Sequence, residues 1–116
     1  MPFPVVWFEV AGPDGKALRN FYSSVFGWKI DANNPMDYGM VEATGQGIGG
    51  GVSGAPPGHA HVTFYIQADD PNAALATIEK HGGKVVMPLD QVPGGPMIAQ
   101  FADPAGNVVG LMKMPG

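Results

Sequence analysis

The chain has 116 residues, a net charge of −4 and no cysteine, and only 14% of its residues are charged. This length suits one compact domain over residues 1–116, and the missing cysteine excludes disulfides and thiolate sites and fits a reducing, cytoplasmic location. The six basic residues are scattered, and no apolar run reaches the roughly 20 residues that span a bilayer, so neither a nucleic-acid surface nor a membrane segment is expected.

The first predicted elements are a strand and a helix. Val6, Phe8 and Val10 alternate with other residues, which is the period of a half-buried strand. Asp14 can cap a helix whose apolar residues recur at helical spacing until Gly27 ends it. Three short strands are then predicted near Trp28–Asp31, Asp37–Ala43 and Ile48–Ser53.

The same order of elements returns after the linker Gly54–Ala60. A second strand pattern begins at Val62, Asp70 can cap a second helix with Pro71 at its first position, and Gly82–Gly83 end that helix. Three further strands are predicted near Lys84–Pro88, Met97–Ala102 and Asn107–Lys113.

Internal self-similarity decides the predicted architecture. The offset between the two halves is 56 residues, which is close to half the chain, so the sequence indicates two copies of a βαβββ unit, about residues 1–54 and 60–116. One helix cannot cover both faces of four strands, so the uncovered face must curl or meet the other unit. The prediction is an α+β fold in which two βαβββ units form a curled mixed sheet shaped as a cup.

Three segments carry a resemblance to a known family. They are "FYSSVFGW" at the end of the first helix, "ALATIEKHGGKVV" in the second unit and "DPAGNVVGL" near the end of the chain. With the duplicated βαβββ unit, they resemble the vicinal oxygen chelate superfamily, the group of glyoxalases, bleomycin-resistance proteins and extradiol dioxygenases. The resemblance covers nearly the whole chain and is strongest to small glyoxalase-like bacterial proteins.

The resemblance implies one divalent metal in the cup, held from the first and last strands of each unit, commonly by His and Glu. In this chain the four implied positions are Trp7, Thr63, Gly51 and Gly110. An indole offers no lone pair, a threonine hydroxyl is a weak neutral ligand, and glycine has no side chain. We therefore expect no bound metal and no other cofactor.

Trp7 and Glu9 are the first candidate site residues. If Val6, Phe8 and Val10 pack on the helices, the alternating residues Trp7 and Glu9 point into the cup. Trp7 is then a stacking wall for a flat ligand, and Glu9 is a polar anchor or a general base. The alternatives are that Trp7 only fills the space of a lost metal and that Glu9 reaches solvent or a dimer neighbour.

The second unit supplies the other candidates. His61, Thr63, Tyr65 and Gln67 occupy the equivalent face of its first strand. The Tyr65 hydroxyl can orient a carbonyl group, although a buried tyrosine can equally have a purely structural role. The predicted ligand-binding residues are Trp7, Glu9, Thr63, Tyr65, Gln67 and Gly110.

Two further motifs are weaker indications of a binding site. His59 and His61 are two residues apart and could chelate a metal if a third ligand joined them. The glycines of "GQGIGG", residues 45–50, match G-x-G-x-x-G, but the sequence that follows cannot open the helix that a dinucleotide site needs.

The resemblance leaves three functions open. The first is a metal-free protein that binds a small molecule, in the manner of bleomycin-resistance proteins, as a homodimer. The low charged fraction, against the usual ~25%, favours such a dimer because it leaves uncharged surface. The second is a metal-free enzyme in which Glu9 or Tyr65 acts as acid or base on a carbonyl or enolisable substrate. The third is a lyase, isomerase or dioxygenase whose metal ligands lie elsewhere.

Overall fold

The computed structural model describes residues 2–115, and its elements follow the predicted repeat. The first half contains β1 (Val5–Gly12), α1 (Gly15–Phe26), β2 (Ile30–Asp31), β3 (Gly39–Val41) and β4 (Gly49–Gly54). The second half contains β5 (His61–Gln67), α2 (Pro71–Lys80), β6 (Lys84–Gln91), β7 (Met97–Ala102) and β8 (Val108–Lys113). The predicted α+β class with two βαβββ repeats is confirmed.

The chain divides into two compact units. The N-terminal unit is Trp7–Thr63, and the C-terminal unit joins the residues up to Val6 with those from Phe64 onward. In the N-terminal unit the strand order is β2-β3-β4-β1, and in the C-terminal unit it is β6-β7-β8-β5. Each unit has one parallel pair, β1 with β4 or β5 with β8, and its other pairs are antiparallel. Each unit is therefore a mixed sheet.

The helices begin and end where their capping residues predict. The Asp14 carboxylate accepts a hydrogen bond from the backbone N–H of Ala17 at 3.0 Å, and Asp70 caps α2 in the same way with Pro71 as its first residue. Gly27 ends α1 with φ of +71°, the left-handed conformation that glycine adopts without strain. Local side-chain chemistry thus determines these boundaries.

Two strands of the N-terminal unit are shorter than predicted. β2 begins only at Ile30, because the Trp28 ring stacks on the Tyr22 ring of α1 with centroids 5.2 Å apart. β3 begins only at Gly39, because the residues before it form a loop in which Asn34 hydrogen-bonds both backbone polar groups of Tyr38. At the start of both strands, side-chain contacts that the strand pattern does not predict therefore take the place of strand pairing.

The apolar stripe predicted for α1 is only partly covered. Phe21, Val25 and Phe26 are 54%, 56% and 60% exposed, and no residue of α1 is fully buried. The sheet face below α1 is instead covered by aromatic rings, since Phe8 lies 5.3 Å from Trp28, centroid to centroid. The uncovered residues leave apolar surface on this unit.

The C-terminal unit has a continuous apolar core. Leu111 on β8 is 2% exposed and packs with Leu75 of α2, with Ala99 of β7 and with Ala68, which directly follows β5. Over the described residues, neither helix has the length and apolar character of a membrane-crossing segment.

Candidate functional site

Trp7 and Glu9 lie on the face of β1 that points away from α1. Phe8, between them, contacts Trp28 on the α1 side, so the alternation of the strand turns its two neighbours to the other face. Glu9 is paired in register with Gly51 of β4. The structure therefore places the first two predicted site residues together on one strand face.

Tyr38 joins these two residues, although sequence reasoning did not select it. Its hydroxyl accepts a hydrogen bond from Trp7 Nε1 at 3.0 Å and donates one to Glu9 Oε1 at 2.9 Å. The backbone of Tyr38 is held by Asn34, whose Oδ1 accepts from the tyrosine N–H at 2.9 Å and whose Nδ2 donates to its carbonyl at 2.7 Å. The loop thus aims the phenol at Glu9.

His61 completes the cluster from the start of β5. Its Nε2 lies 2.8 Å from Glu9 Oε2, and its Nδ1 lies 2.9 Å from the backbone carbonyl oxygen of His59. Both partners are acceptors, so both ring nitrogens carry a proton when both bonds form, and the ring is then an imidazolium. We call Trp7, Tyr38, Glu9 and His61 the Glu9 cluster.

The charge of His61 depends on Glu9. The hydrogen bond to the Glu9 carboxylate raises the pKa of His61 above its ordinary value of 6.5; partial burial opposes this, and the His59 carbonyl adds to it. The Glu9 side chain is only 14% exposed, whereas that of His61 is 40% exposed. The cluster therefore joins a phenol, a carboxylate and an imidazole in one hydrogen-bonded row that ends at solvent.

The pH dependence of the free energy of unfolding should reveal the ion pair between His61 and Glu9. Because the folded pKa of His61 lies above the unfolded value, its contribution is fully present below about pH 6.5 and is lost as pH rises through the folded pKa. Between pH 6 and pH 9, we expect wild type to lose up to roughly 1 kcal/mol more unfolding free energy than His61→Gln, the upper end for exposed pairs. Urea titrations measure this difference.

The control for that experiment is Gln46→Ala, which changes an exposed side chain of the N-terminal unit that has no titrating group. This variant should keep the wild-type pH dependence. An equal loss of stability in wild type and in His61→Gln would contradict the assignment of the pair.

The remaining predicted residues fall into two groups. Thr63 belongs to the same unit as Trp7 and Glu9, whereas Tyr65, Gln67 and Gly110 belong to the C-terminal unit. Tyr65 is 4% exposed and pairs in register with Gly110, and its ring covers that glycine. Gln67 donates its backbone N–H to the carbonyl of Pro4 at 2.9 Å. A ligand role for these residues and for Thr63 stays a prediction.

The residues at the four implied metal positions do not fit a divalent ion. A Cβ added at Gly51 would collide with the Tyr38 hydroxyl, and one added at Gly110 would collide with the Tyr65 ring, so aromatic groups fill the space that a ligand side chain needs. Trp7 uses its indole N–H as a donor. Across residues 2–115, no three His, Cys, Asp or Glu side chains are grouped as metal ligands would be, His59 and His61 included.

A cleft of about 300 Å³ lies next to Tyr38 in the N-terminal unit. Its other lining residues include Lys16, Arg19, Met36 and Ser53. The volume is at the lower end of the range of small-molecule pockets. Tyr38 is the residue that the cleft and the Glu9 cluster share.

Sequence reasoning missed Tyr38 and did not pair His61 with Glu9. One signal was available for the tyrosine, because three consecutive glycines at 49–51 leave space above β4 that a neighbouring ring can occupy. No local signal pairs residues 9 and 61, which are 52 positions apart.

Comparison with known proteins gives a consistent picture. A family model described as Glyoxalase/Bleomycin resistance protein/Dioxygenase superfamily matches residues 5–111. CFP32 of Mycobacterium tuberculosis (strain CDC 1551 / Oshkosh) is 31% identical over 116 residues, covering 92% of this chain and 44% of CFP32. Anthracycline biosynthesis protein DnrV of Streptomyces peucetius is 30% identical over 133 residues, covering 97% of this chain and 47% of DnrV.

The chain thus spans about half the length of these curated relatives. Among solved structures, methylmalonyl-CoA epimerase from Mycobacterium tuberculosis matches with a TM-score of 0.72 and 11% identity, covering 97% of this chain and 88% of the epimerase. An identity this low supports the fold alone.

Proposed function

The chain belongs to the glyoxalase/bleomycin resistance protein/dioxygenase superfamily, and we propose that it binds a small organic molecule at the Glu9 cluster without a divalent ion. The observation that carries the proposal is the hydrogen-bonded row from Trp7 through Tyr38 to Glu9. It sets an aromatic face beside a mostly buried carboxylate, and apolar walls with a few placed polar groups are typical of ligand sites.

The chemistry of the cluster indicates a ligand that is flat and uncharged. Trp7 offers a ring for stacking, and Tyr38 and Glu9 offer one hydroxyl and one carboxylate for orientation. An anionic ligand would meet the charge of Glu9, and a cationic one would meet the imidazolium of His61.

A nuclear magnetic resonance titration tests the proposal. The chain has two tryptophans, Trp7 and Trp28, so its two indole N–H signals can be assigned with Trp7→Phe. A panel of uncharged aromatic ketones and aldehydes should shift the Trp7 signal and leave the Trp28 signal in place, because Trp28 packs in the aromatic cluster on the α1 side. A panel that moves neither signal would refute the proposal.

A second candidate function is metal-free acid–base catalysis by Glu9. The observation in its favour is that both Glu9 oxygens face donors, Tyr38 O–H at 2.9 Å and His61 Nε2 at 2.8 Å. Such donors can hold the carboxylate in place while it takes a proton from a carbon next to a carbonyl group. Tyr65, the alternative acid or base, is 4% exposed and less accessible to a substrate.

Glu9→Gln separates the two candidates. Glutamine keeps the size of the side chain but is not a base, so binding of an uncharged ketone should change less than about tenfold, whereas proton exchange next to the carbonyl should fall at least about a hundredfold if Glu9 is catalytic. Loss of deuterium from labelled acetophenones with an enolisable α-carbon measures the exchange. Glu42→Gln, at an exposed position of the same unit, is the control. Equal exchange rates in wild type and Glu9→Gln would remove Glu9 from any mechanism.

Pairing with a second copy of the chain is part of the same proposal. The exposed apolar residues Phe21, Val25 and Phe26 of α1 and the low charged fraction of 14% support it. A cytoplasmic location also stays a proposal, supported by the lack of cysteine.

A further inference from the structure

The space of a side chain at position 51 is taken by Tyr38. A Cβ built on Gly51 would come closer to the hydroxyl oxygen, Cζ and Cε2 of Tyr38 than real Cβ atoms ever approach other atoms. Gly51 is also the Cα partner of Glu9 on β1. The tyrosine hydroxyl therefore reaches Glu9 only because residue 51 has no side chain.

The C-terminal unit repeats this arrangement with its own residues. Tyr65 is the Cα partner of Gly110, and a Cβ built on Gly110 would overlap the Tyr65 ring. In the internal repeat Glu9 corresponds to Tyr65 at the offset of 56, and Gly51 corresponds to Gly110 at an offset of 59 in the last strands, so the two registered pairs are equivalent positions of the two units. A tyrosine covers the glycine in both units, and in the N-terminal unit a hydrogen bond joins that tyrosine, Tyr38, to the carboxylate of Glu9.

We infer that Tyr38 is a ligand-binding residue and that Gly51 is the residue that admits it. At the position from which the resemblance implies a metal-holding carboxylate, this chain instead places a phenol hydroxyl on Glu9. The class of ligand that this arrangement takes is an uncharged organic molecule with a carbonyl or hydroxyl oxygen. The inference rests on the proposed function, because that proposal places the ligand at the Glu9 cluster.

The hydrogen bonds of Tyr38 explain why the ligand should be uncharged and carry a carbonyl or hydroxyl oxygen. Its hydroxyl has one proton, which Glu9 accepts, and it already accepts the Trp7 N–H. A ligand oxygen that approaches Trp7 can take the phenol proton in place of Glu9, because His61 continues to donate to the other Glu9 oxygen. A ligand carboxylate would gain the same hydrogen bond but would meet the negative charge of Glu9, so anions are disfavoured.

Tyr38→Phe and Gly51→Ala test the inference, with acetophenone as an uncharged ketone and benzoate as its anionic counterpart. Tyr38→Phe keeps the ring and removes the hydroxyl, whereas Gly51→Ala displaces the ring. We expect acetophenone to bind wild type, by the Trp7 indole signal, about tenfold more tightly than either variant, the effect of one lost hydrogen bond. Benzoate should bind wild type more weakly than acetophenone does.

Gly45→Ala is the control, because a Cβ at position 45 meets no atom within 4 Å.

The outcomes distinguish this inference from the proposed function. Equal affinity of wild type and Tyr38→Phe for acetophenone would overturn the inference and leave the proposed function intact. If no ketone moves the Trp7 signal, the proposed function fails, and the inference fails with it as a statement about ligands. Stoichiometric Co²⁺ binding by wild type, detected by visible absorption and lost in Glu9→Gln, would overturn the inference independently, because the Glu9 carboxylate would then bind a metal. Tyr38→Phe makes no clash, so it keeps the test decisive if Gly51→Ala does not fold.

Discussion

Replacing Gly110 with glutamate is expected to lower the free energy of unfolding by about 3 kcal/mol or more, instead of creating a metal site. The new side chain would start in the volume of the Tyr65 ring, which is 4% exposed and has no open space to move into. It would also bring a carboxylate into a buried position of β8. Urea unfolding followed by circular dichroism measures the loss.

Two variants show how much of the stability lost in Gly110→Glu comes from the steric clash with Tyr65. Gly110→Ala adds one methyl group at the same place and should cost about 1–3 kcal/mol, as overpacking of a core does. Adding Tyr65→Ala to Gly110→Glu opens the space, so the double variant should lose less stability than the two single losses combined. If Gly110→Glu is as stable as wild type and takes up Co²⁺, the tyrosine does not close this position.

Leu111→Ala should destabilise the protein by about 3 kcal/mol, within the range of large-to-small core substitutions. Leu111 follows Gly110 on β8 and points to the opposite face, where it is 2% exposed and packs with Ala68, Leu75 and Ala99. The side chains of Ala68 and Ala99 are too short to fill the cavity that alanine would leave. Chemical unfolding of the purified variant gives the value.

Val108→Ala, on the same strand, is the matched control for Leu111→Ala. Val108 is 44% exposed, so its truncation removes less packing and should cost less than about 1 kcal/mol. Similar losses at positions 108 and 111 would contradict the assignment of Leu111 to the core.

Much of the fold could be predicted because its determinants are local. Strand alternation at Val6, Phe8 and Val10, the capping carboxylates Asp14 and Asp70 and the left-handed Gly27 act within a few residues of their own positions. β7 was predicted with the bounds that the structure shows, Met97–Ala102. The predicted β2 and β3 were too long, because the contacts of Trp28 and Asn34 that shorten them depend on tertiary packing.

The candidate site could be predicted only in part. Trp7 and Glu9 follow from the period of one strand, so the expectation that they share a face is confirmed by the position of Phe8 on the other face. The contacts of Tyr38 and His61 with Glu9 could not be predicted in this way. Glu9 lies 29 and 52 residues away from them along the chain, and no sequence pattern indicates that residues so far apart are in contact.

The sequence by itself determined the duplicated βαβββ order, the family and the absence of strong metal ligands at the four implied positions, because periodicity, capping and residue chemistry are properties of single residues and their chain neighbours. The tertiary structure alone decided what occupies those positions. Glycine at 51 or 110 specifies only free volume, and which atoms fill that volume depends on where distant segments pack. In this protein a tyrosine fills each of them, and the hydroxyl of Tyr38 reaches the carboxylate of Glu9.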